Sequence, residues 1–273
     1  MIYGSKLGKA VISMIKIDYD KCIGCLSCTD KCVCSSIGIE EGRPVYNVEM
    51  GCIKCMHCAI ACPENAITFD GKPAVFSEEL PVMSDTLVDD LESLVLTRRS
   101  YRNFREEMVD PAEIRRILEL TAWAPSSSNS HPVKYFVVNG RDKVDRIMEI
   151  ITAFIKEKGV YTYLLDRFER GINPVVTKAP NLILAYAADN AGNPQTDVAI
   201  ALTSAELMLQ SRGIGTCWAG YLNGFLNNIP QLKELTGIPE GYSFYGCLLV
   251  GYPTEDYHYI PERVLRPEIT EIH

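Results

Sequence analysis

No stretch of the 273-residue chain reaches the roughly 18 consecutive apolar residues that a membrane span needs, so an embedded protein is not expected. The N-terminus offers Lys6 and Lys9 and then a short apolar stretch near Val11. It has neither the length nor the small-residue cleavage site of a secretory leader. A cytoplasmic protein is the expectation, with Met14 an alternative start. Basic excess is missing as well: 27 Lys and Arg stand against 35 Asp and Glu, a formal charge of −8, which argues against nucleic acid as a partner. A nucleotide G-x-G-x-x-G loop is also absent. The glycines of Gly213-Ile-Gly-Thr-Cys-Trp-Ala-Gly220 have the wrong spacing and follow a helical pattern instead of opening one. No acid or base stands out as a proton carrier, so the catalytic residues are unknown and the substrate is unnamed.

Cysteine, by contrast, is abundant: the chain has eleven, nine of them in the first 62 residues. Cys22, Cys25, Cys28 and Cys32 form a C-x-x-C-x-x-C-x-x-x-C run, and Cys52, Cys55, Cys58 and Cys62 repeat it thirty residues later. Three thiolates on such a loop reach three irons of one cubane cluster, while the fourth ligates the other cluster. The expected assignment therefore crosses over, with Cys22, Cys25, Cys28 and Cys62 on one 4Fe-4S cluster and Cys52, Cys55, Cys58 and Cys32 on the second. The alternatives are a disulfide framework or two zinc sites, but zinc runs pair two cysteines with two distant ligands. Thiolates reserved for iron need a reducing compartment, and an anaerobic cell is the natural setting. Eight thiolates and two cores of about +2 each would bring the net charge to about −12, a surface suited to docking on a basic patch of an electron donor.

The repeat extends further: Ile37 and Ile67 share the offset, and Gly42-Arg-Pro-Val-Tyr46 is echoed by Gly71-Lys-Pro-Ala-Val-Phe76. Each half reads as a cluster loop, a helical turn and a short hairpin, preceded by a strand over Val11–Ile17. Residues 14 to 76 resemble the bacterial two-cluster ferredoxins. One departure is the missing proline after Cys32, where Val33 and Cys34 stand; Cys34 reads as a small buried apolar residue.

Residues 77–84 read as a linker. Beyond it, Ser84 or Asp85 is expected to cap a helix with Leu87, Leu91, Leu94 and Val95 on one face. Asp110 and Pro111 open a second helix that buries Ile114, Ile117 and Leu118. Strands are expected over Tyr135–Asn139, Asn181–Ala187 and Ser243–Gly251, and amphipathic helices over Lys143–Lys158 and Tyr161–Arg170. The longest helix, Thr196–Arg212, has very few charges and wants cover on all sides, which a dimer interface would provide. A short helix is expected near Gln231.

Four stretches here carry chemistry. Arg98-Arg-Ser-Tyr-Arg-Asn-Phe104 groups guanidiniums and a hydroxyl, a set suited to phosphate or to the C-terminus of a helix. Ala124-Pro-Ser-Ser-Ser-Asn-Ser-His-Pro132 offers hydroxyls and amides to a polar ring edge, or a capped turn. Gly213–Gly220 lets backbone approach a flat ligand. Gly251-Tyr-Pro253 is the fourth, with Arg263 and Arg266 beyond it. In this order the stretches resemble the FMN-dependent nitroreductase family over residues 84 to 267.

That resemblance implies a homodimer of α+β subunits with one FMN at each end of the interface. It implies phosphate and ribityl contacts from Arg98, Ser100 and Arg102, with Arg99 in the same run. Pro125, Ser126, Ser127, Ser128 and Asn129 match the loop that the partner subunit lends to the isoalloxazine. Trp218, Ala219 and Gly220 match the stretch whose backbone faces the redox-active nitrogen. Arg263 matches a late phosphate contact, with Arg266 the alternative. Cys217 reads as a packing residue and Cys247 as core.

The expected fold is α+β: a two-cluster ferredoxin-like module, residues 1–78, fused to a nitroreductase-like domain, residues 79–273, whose central sheet is flanked by helices. The expected function is reduction of a small organic substrate, such as a nitro compound or quinone, by an FMN fed through two 4Fe-4S clusters from a ferredoxin-like or other low-potential donor. Two rivals stand beside it. One is an NAD(P)H-driven nitroreductase with accessory clusters, the other a non-enzymatic electron-transfer adaptor or redox sensor.

Overall fold

The computed structural model describes residues 15–69, 72–73 and 82–272. Two compact units make up the chain, residues 1–83 with 128–130 and residues 84–127 with 131–273. The expected boundary at 78/79, the strand residues Val11–Met14 and most of the linker lie outside the described residues.

In the N-terminal unit β1 (Ile15–Ile17) is followed by the one-turn helix α1 (Ser27–Asp30) and a hairpin of β2 (Ile37–Glu40) and β3 (Arg43–Tyr46). The second half repeats the order with α2 (His57–Ile60), β4 (Ile67–Phe69) and β5 (Lys72–Pro73). Strand β4 pairs antiparallel with both β1 and β5. Ile37 and Ile67, the pair predicted from the repeat, are each 3% exposed and join Ile15, Cys28, Cys58 and Ala59 in one small core. Lys72–Pro73 is the described part of the second expected hairpin.

The second unit begins with α3 (Leu87–Thr97) and α4 (Pro111–Leu120). The cap of α3 is Thr86, and Ser84 instead accepts the Thr86 N–H through its hydroxyl. Asp110 does cap α4, its Oδ1 accepting the Ala112 N–H at 2.8 Å, and Ile114, Ile117 and Leu118 are buried as expected. Then come β6 (Lys134–Asn139), α5 (Arg141–Lys158), α6 (Tyr163–Glu169), β7 (Asn181–Ala188), α7 (Pro194–Gln210), β8 (Gly215–Trp218), α8 (Gly220–Asn228), α9 (Pro230–Thr236) and β9 (Tyr242–Gly251). The sheet order is β6-β7-β9-β8, antiparallel throughout.

Strand β7 explains the layering. Successive side chains point to opposite faces, so Leu182 and Leu184 enter one core with residues of α5, α6, α8 and α9. Ile183 and Ala185 enter a second core with α4 and α7. Burying each of these large residues is worth about 2 kcal/mol, so both faces need cover and the apolar run is unbroken. Helix α7 buries Val198, Ala201, Leu202, Ala205 and Leu209 within the chain, while Ile200, Leu207 and Met208 on its other side stay half-buried. Its two acidic residues, Asp197 and Glu206, are also buried, at 2% and 4% exposure. Gly213 (φ 73°) ends the turn after α7 as expected. Strand β8 and helix α8 were not anticipated, since Gly213–Gly220 reads as a loop until β9 supplies its ladder.

Candidate cofactor sites

The two cysteine runs fold alike. Residues with positive φ recur thirty apart: Gly24 and Lys54 (71° and 56°), Leu26 and Met56 (59° and 66°), Ser35 and Asn65 (53° and 47°). Left-handed backbone costs a non-glycine residue roughly 1–2 kcal/mol, so five such residues in matched places mark a loop shaped for a purpose. Backbone that alternates between right- and left-handed conformations turns successive N–H groups into a concavity that suits anions and iron–sulfur sites. The N–H groups of Ser36 and Ala66 donate to Cys32 and Cys62 Sγ at 3.2 and 3.3 Å, again thirty apart, and Lys54 N–H donates to Cys52 Sγ at 3.3 Å.

The thiols group across the runs. Cys28 has Cys22 and Cys62 as its electrostatic neighbours, while Cys58 has Cys52, Cys32 and Cys55. Burial raises the Cys28 thiol and pushes Cys58 up to about 12, with the neighbouring thiols adding to it. Cys25, on the surface, is instead lowered by hydrogen bonds from Ser27. Buried thiolates crowded in this way need a positive centre among them, and the cores of two cubane clusters fit that donor set. Among the described residues no three His, Cys, Asp or Glu side chains converge where one metal ion would sit. A cubane takes each thiolate on a separate iron. Cys34 departs from expectation: it is half-buried and borders a hollow with Cys32, Cys52, Cys55 and Cys58.

In the second unit, the segment after α3 is the meeting point of three of the four stretches. Ser100 forms a parallel bridge with Thr216, and Phe104 an antiparallel one with Pro253. Tyr101 N–H donates to Thr216 O and Arg105 N–H to Tyr252 O, at 2.9 and 2.8 Å. The result is a hollow of about 360 Å³ bordered by Arg98, Arg99, Ser100, Arg102, Arg263 and Tyr257. Arg263 reaches it from the tail; Arg266 instead donates from Nε to the Arg263 carbonyl at 3.4 Å. Arg99 also caps its helix, donating from Nη1 to the carbonyls of Leu96 and Arg98 at 2.7 Å, as the cap reading of that stretch expects. Four guanidiniums in one hollow are a donor set of the kind that suits phosphate.

Arg98 is held from behind. Its Nη1 lies 3.4 Å from Glu206 Oε1. Gln210, one turn further along α7, accepts the Arg99 N–H at 3.1 Å and donates to the Arg99 carbonyl at 2.9 Å. Glu206, Gln210, Thr216 and Tyr257 were all missed from sequence. The available signal was the Glu206–Gln210 pair, polar residues four apart on one side of an otherwise apolar helix.

Trp218 ends β8 and is 39% exposed, and Gly220 opens α8. The Ala219 N–H is taken by Cys247 O at 2.9 Å. The donors this stretch offers a ring are therefore those of the first turn of α8, which helix geometry leaves without intrahelical partners. Gly220 also borders a hollow of about 720 Å³ walled by Phe154, Tyr161, Tyr221 and Phe225. The serine-rich loop is apart from the arginines. Pro125 and Ser126 border a different hollow of about 440 Å³ with Trp123, His131 and Asp197, and Ser128 and Asn129 have φ of 50° and 53°. Ser128–Ser130 group with the N-terminal unit. Cys217 and Cys247 are buried and their thiols raised by burial, in line with packing roles.

Residues 95–252 match the model of the nitroreductase family. A putative NADH dehydrogenase/NAD(P)H nitroreductase of Archaeoglobus fulgidus is 27% identical over 163 residues, 60% of this chain and 85% of that protein. A solved nitroreductase with bound FMN from Bacteroides fragilis superposes with a TM-score of 0.58 at 24% identity, covering 67% of this chain and 98% of its own. For the cysteine-rich part, a ferredoxin of Methanothermococcus thermolithotrophicus is 39% identical over 56 residues, 20% of this chain and 93% of that protein.

Proposed function

The chain belongs to the nitroreductase family and is an FMN-dependent oxidoreductase, and from that premise we propose that two 4Fe-4S clusters relay electrons from a ferredoxin-type donor to the FMN for reduction of a small organic acceptor such as a nitro compound or quinone. The observation that carries the reading is the hollow shared by Cys32 of the first run with Cys52, Cys55 and Cys58 of the second, on the same chain as a hollow bordered by four arginines. Bound FMN supplies the conversion between one-electron and two-electron transfer.

The chain's own residues do the rest. Arg98, Arg102 and Arg263 hold the phosphate by charge-assisted bonds. The first turn of α8 would offer its N–H groups and positive dipole end to the ring edge, which would favour the anionic reduced form. In the cluster loops, N–H donation to Cys32, Cys52 and Cys62 offsets charge on those sulfurs and tunes the potential.

A second copy is part of the proposal. The apolar residues Leu87, Val88, Leu91, Val95 and Leu96 of α3 are 41–67% exposed, and the loop holding Pro125 and Ser126 stands apart from the arginine hollow. A homodimer covers that face and brings a partner's loop to each flavin. Light scattering that shows a monomer retaining full FMN would contradict this.

Iron analysis is the first test of the relay, with about eight iron and eight sulfide expected per chain; a count near four, or zinc instead, sinks it. Anaerobic bleaching of the flavin then compares donors. If NAD(P)H reduces it as fast as a reduced ferredoxin does, the relay is accessory.

A further inference from the structure

Glu206 is 4% exposed in the middle of α7, and its two oxygens face different partners. Oε1 lies 3.4 Å from Arg98 Nη1 and accepts the Thr216 hydroxyl at 3.1 Å, with Gln210 Nε2 at 3.5 Å. Oε2 accepts the indole N–H of Trp218 at 3.1 Å. A carboxylate at this depth costs several kcal/mol unless charge and donors compensate it, and here Arg98, Thr216 and Trp218 supply that compensation. Arg98 borders the anion seat; Trp218 opens the stretch that leads into α8. Glycine lets them meet. A Cβ on Gly246 of β9 would stand 2.6 Å from Leu202 Cδ1 and 3.1 Å from the Trp218 ring, so glycine there leaves room for the indole against α7.

We propose that Glu206 is a positioning residue that couples the phosphate seat to the ring seat, so that an anion drawing on Arg98 alters how Trp218 is held. This rests on the flavin reading above and goes beyond it. An anion on Arg98 takes up part of the charge that compensates Oε1. The carboxylate then leans more on Thr216 and Trp218, and the indole is held more firmly.

The sign of the effect separates coupling from mere support. Glu206 competes with phosphate for Arg98, so Glu206→Gln frees the guanidinium while loosening Trp218. A structural role alone predicts weaker anion binding; coupling predicts anion affinity kept and the indole response lost. Trp218 is one of only two tryptophans, so in a Trp123→Phe background its emission reports the link directly.

The experiment titrates flavin-free Trp123→Phe protein, with and without Glu206→Gln, with inorganic phosphate and then with FMN, by calorimetry and tryptophan emission. The expected result is an emission change on phosphate binding that Glu206→Gln abolishes while the phosphate Kd stays within about threefold or tightens. Visible circular dichroism of bound FMN should change alike in Glu206→Gln and Trp218→Phe, without additivity in the double variant. An equal emission response in Glu206→Gln, or additive dichroism changes, overturns the coupling. Binding without any emission change in the parent overturns it too, leaving the flavin seat intact. Failure of the parent to bind either ligand overturns the seat itself, and the coupling with it.

Discussion

Asp197 Oδ1 accepts the backbone N–H of Ser127 at 2.8 Å, tying the first turn of α7 to the serine-rich loop. The other carboxylate oxygen, Oδ2, is buried without a hydrogen-bond partner. The helix N-terminus favours the charge, and the loop it holds runs on into the left-handed residues Ser128 and Asn129.

Asp197→Ala should therefore cost about 1–3 kcal/mol, read as a fall in the melting temperature of the flavin unit of roughly 2–4 °C per kcal/mol. Asp197→Asn keeps the Oδ1 acceptor and removes charge from an oxygen that lacks a donor, and should stay within about 1 kcal/mol of the parent. Equal melting temperatures for Ala and parent would show that this bond does not hold the loop.

The arginine hollow makes a contrast between neighbours. A guanidinium bonded to phosphate is worth about 1.5–3 kcal/mol, or roughly tenfold to a hundredfold in affinity. Arg98→Ala and Arg263→Ala should each weaken FMN binding by that factor with iron content unchanged. Arg266→Ala should not, since Arg266 bonds the chain and does not border the hollow. Fluorescence titration of FMN decides it; a loss on Arg266→Ala of the same size would reverse the assignment.

How much of this was legible in the sequence follows how local each signal is. The cysteine runs specify their own loops, so the thirty-residue repeat reappears as matched positive φ values and matched N–H donors to Cys32 and Cys62. Asn181–Ala187 announced a strand covered on both faces because its apolar run is unbroken while successive side chains point to opposite faces. Glu206 gave only a faint sign, its spacing of four from Gln210, which becomes informative once Arg98, 108 residues away in sequence, folds against it. Strand β8 is similar, four residues whose extended form depends on β9. That Arg263 rather than Arg266 borders the hollow depends on the tail's course, which no periodicity encodes.

Cys247 gives the flavin unit a pH dependence of definite sign. Its thiol is wholly buried in β9, beside Asn223 Oδ1 at 3.7 Å, and burial raises it above the usual 9.0. The folded state thus keeps a proton that the unfolded chain gives up above pH 9. Stability that is full below that pH falls as pH rises beyond it. Denaturant titrations from pH 8 to 10.5 should show a decline that Cys247→Val largely removes. An identical slope in the variant would assign the decline to other groups.

Whether the two units are electrically joined is tested at Cys25. This thiol is exposed, whereas Cys62 accepts the Ala66 N–H and its loss would also disturb backbone. Cys25→Ala removes one proposed ligand of the cluster held with Cys22, Cys28 and Cys62, and a cubane left with three protein ligands loses iron or shifts in potential. If electrons from a reduced ferredoxin travel through that cluster, they should fail to reach the flavin in the variant. Small chemical reductants that enter the flavin cleft directly should still reduce it and still support turnover. The two arms separate wiring from folding, because a misfolded variant fails with both reductants. Undiminished ferredoxin-driven turnover, in protein shown by iron analysis and low-temperature spectra to lack that cluster, would mean that the relay does not pass through it.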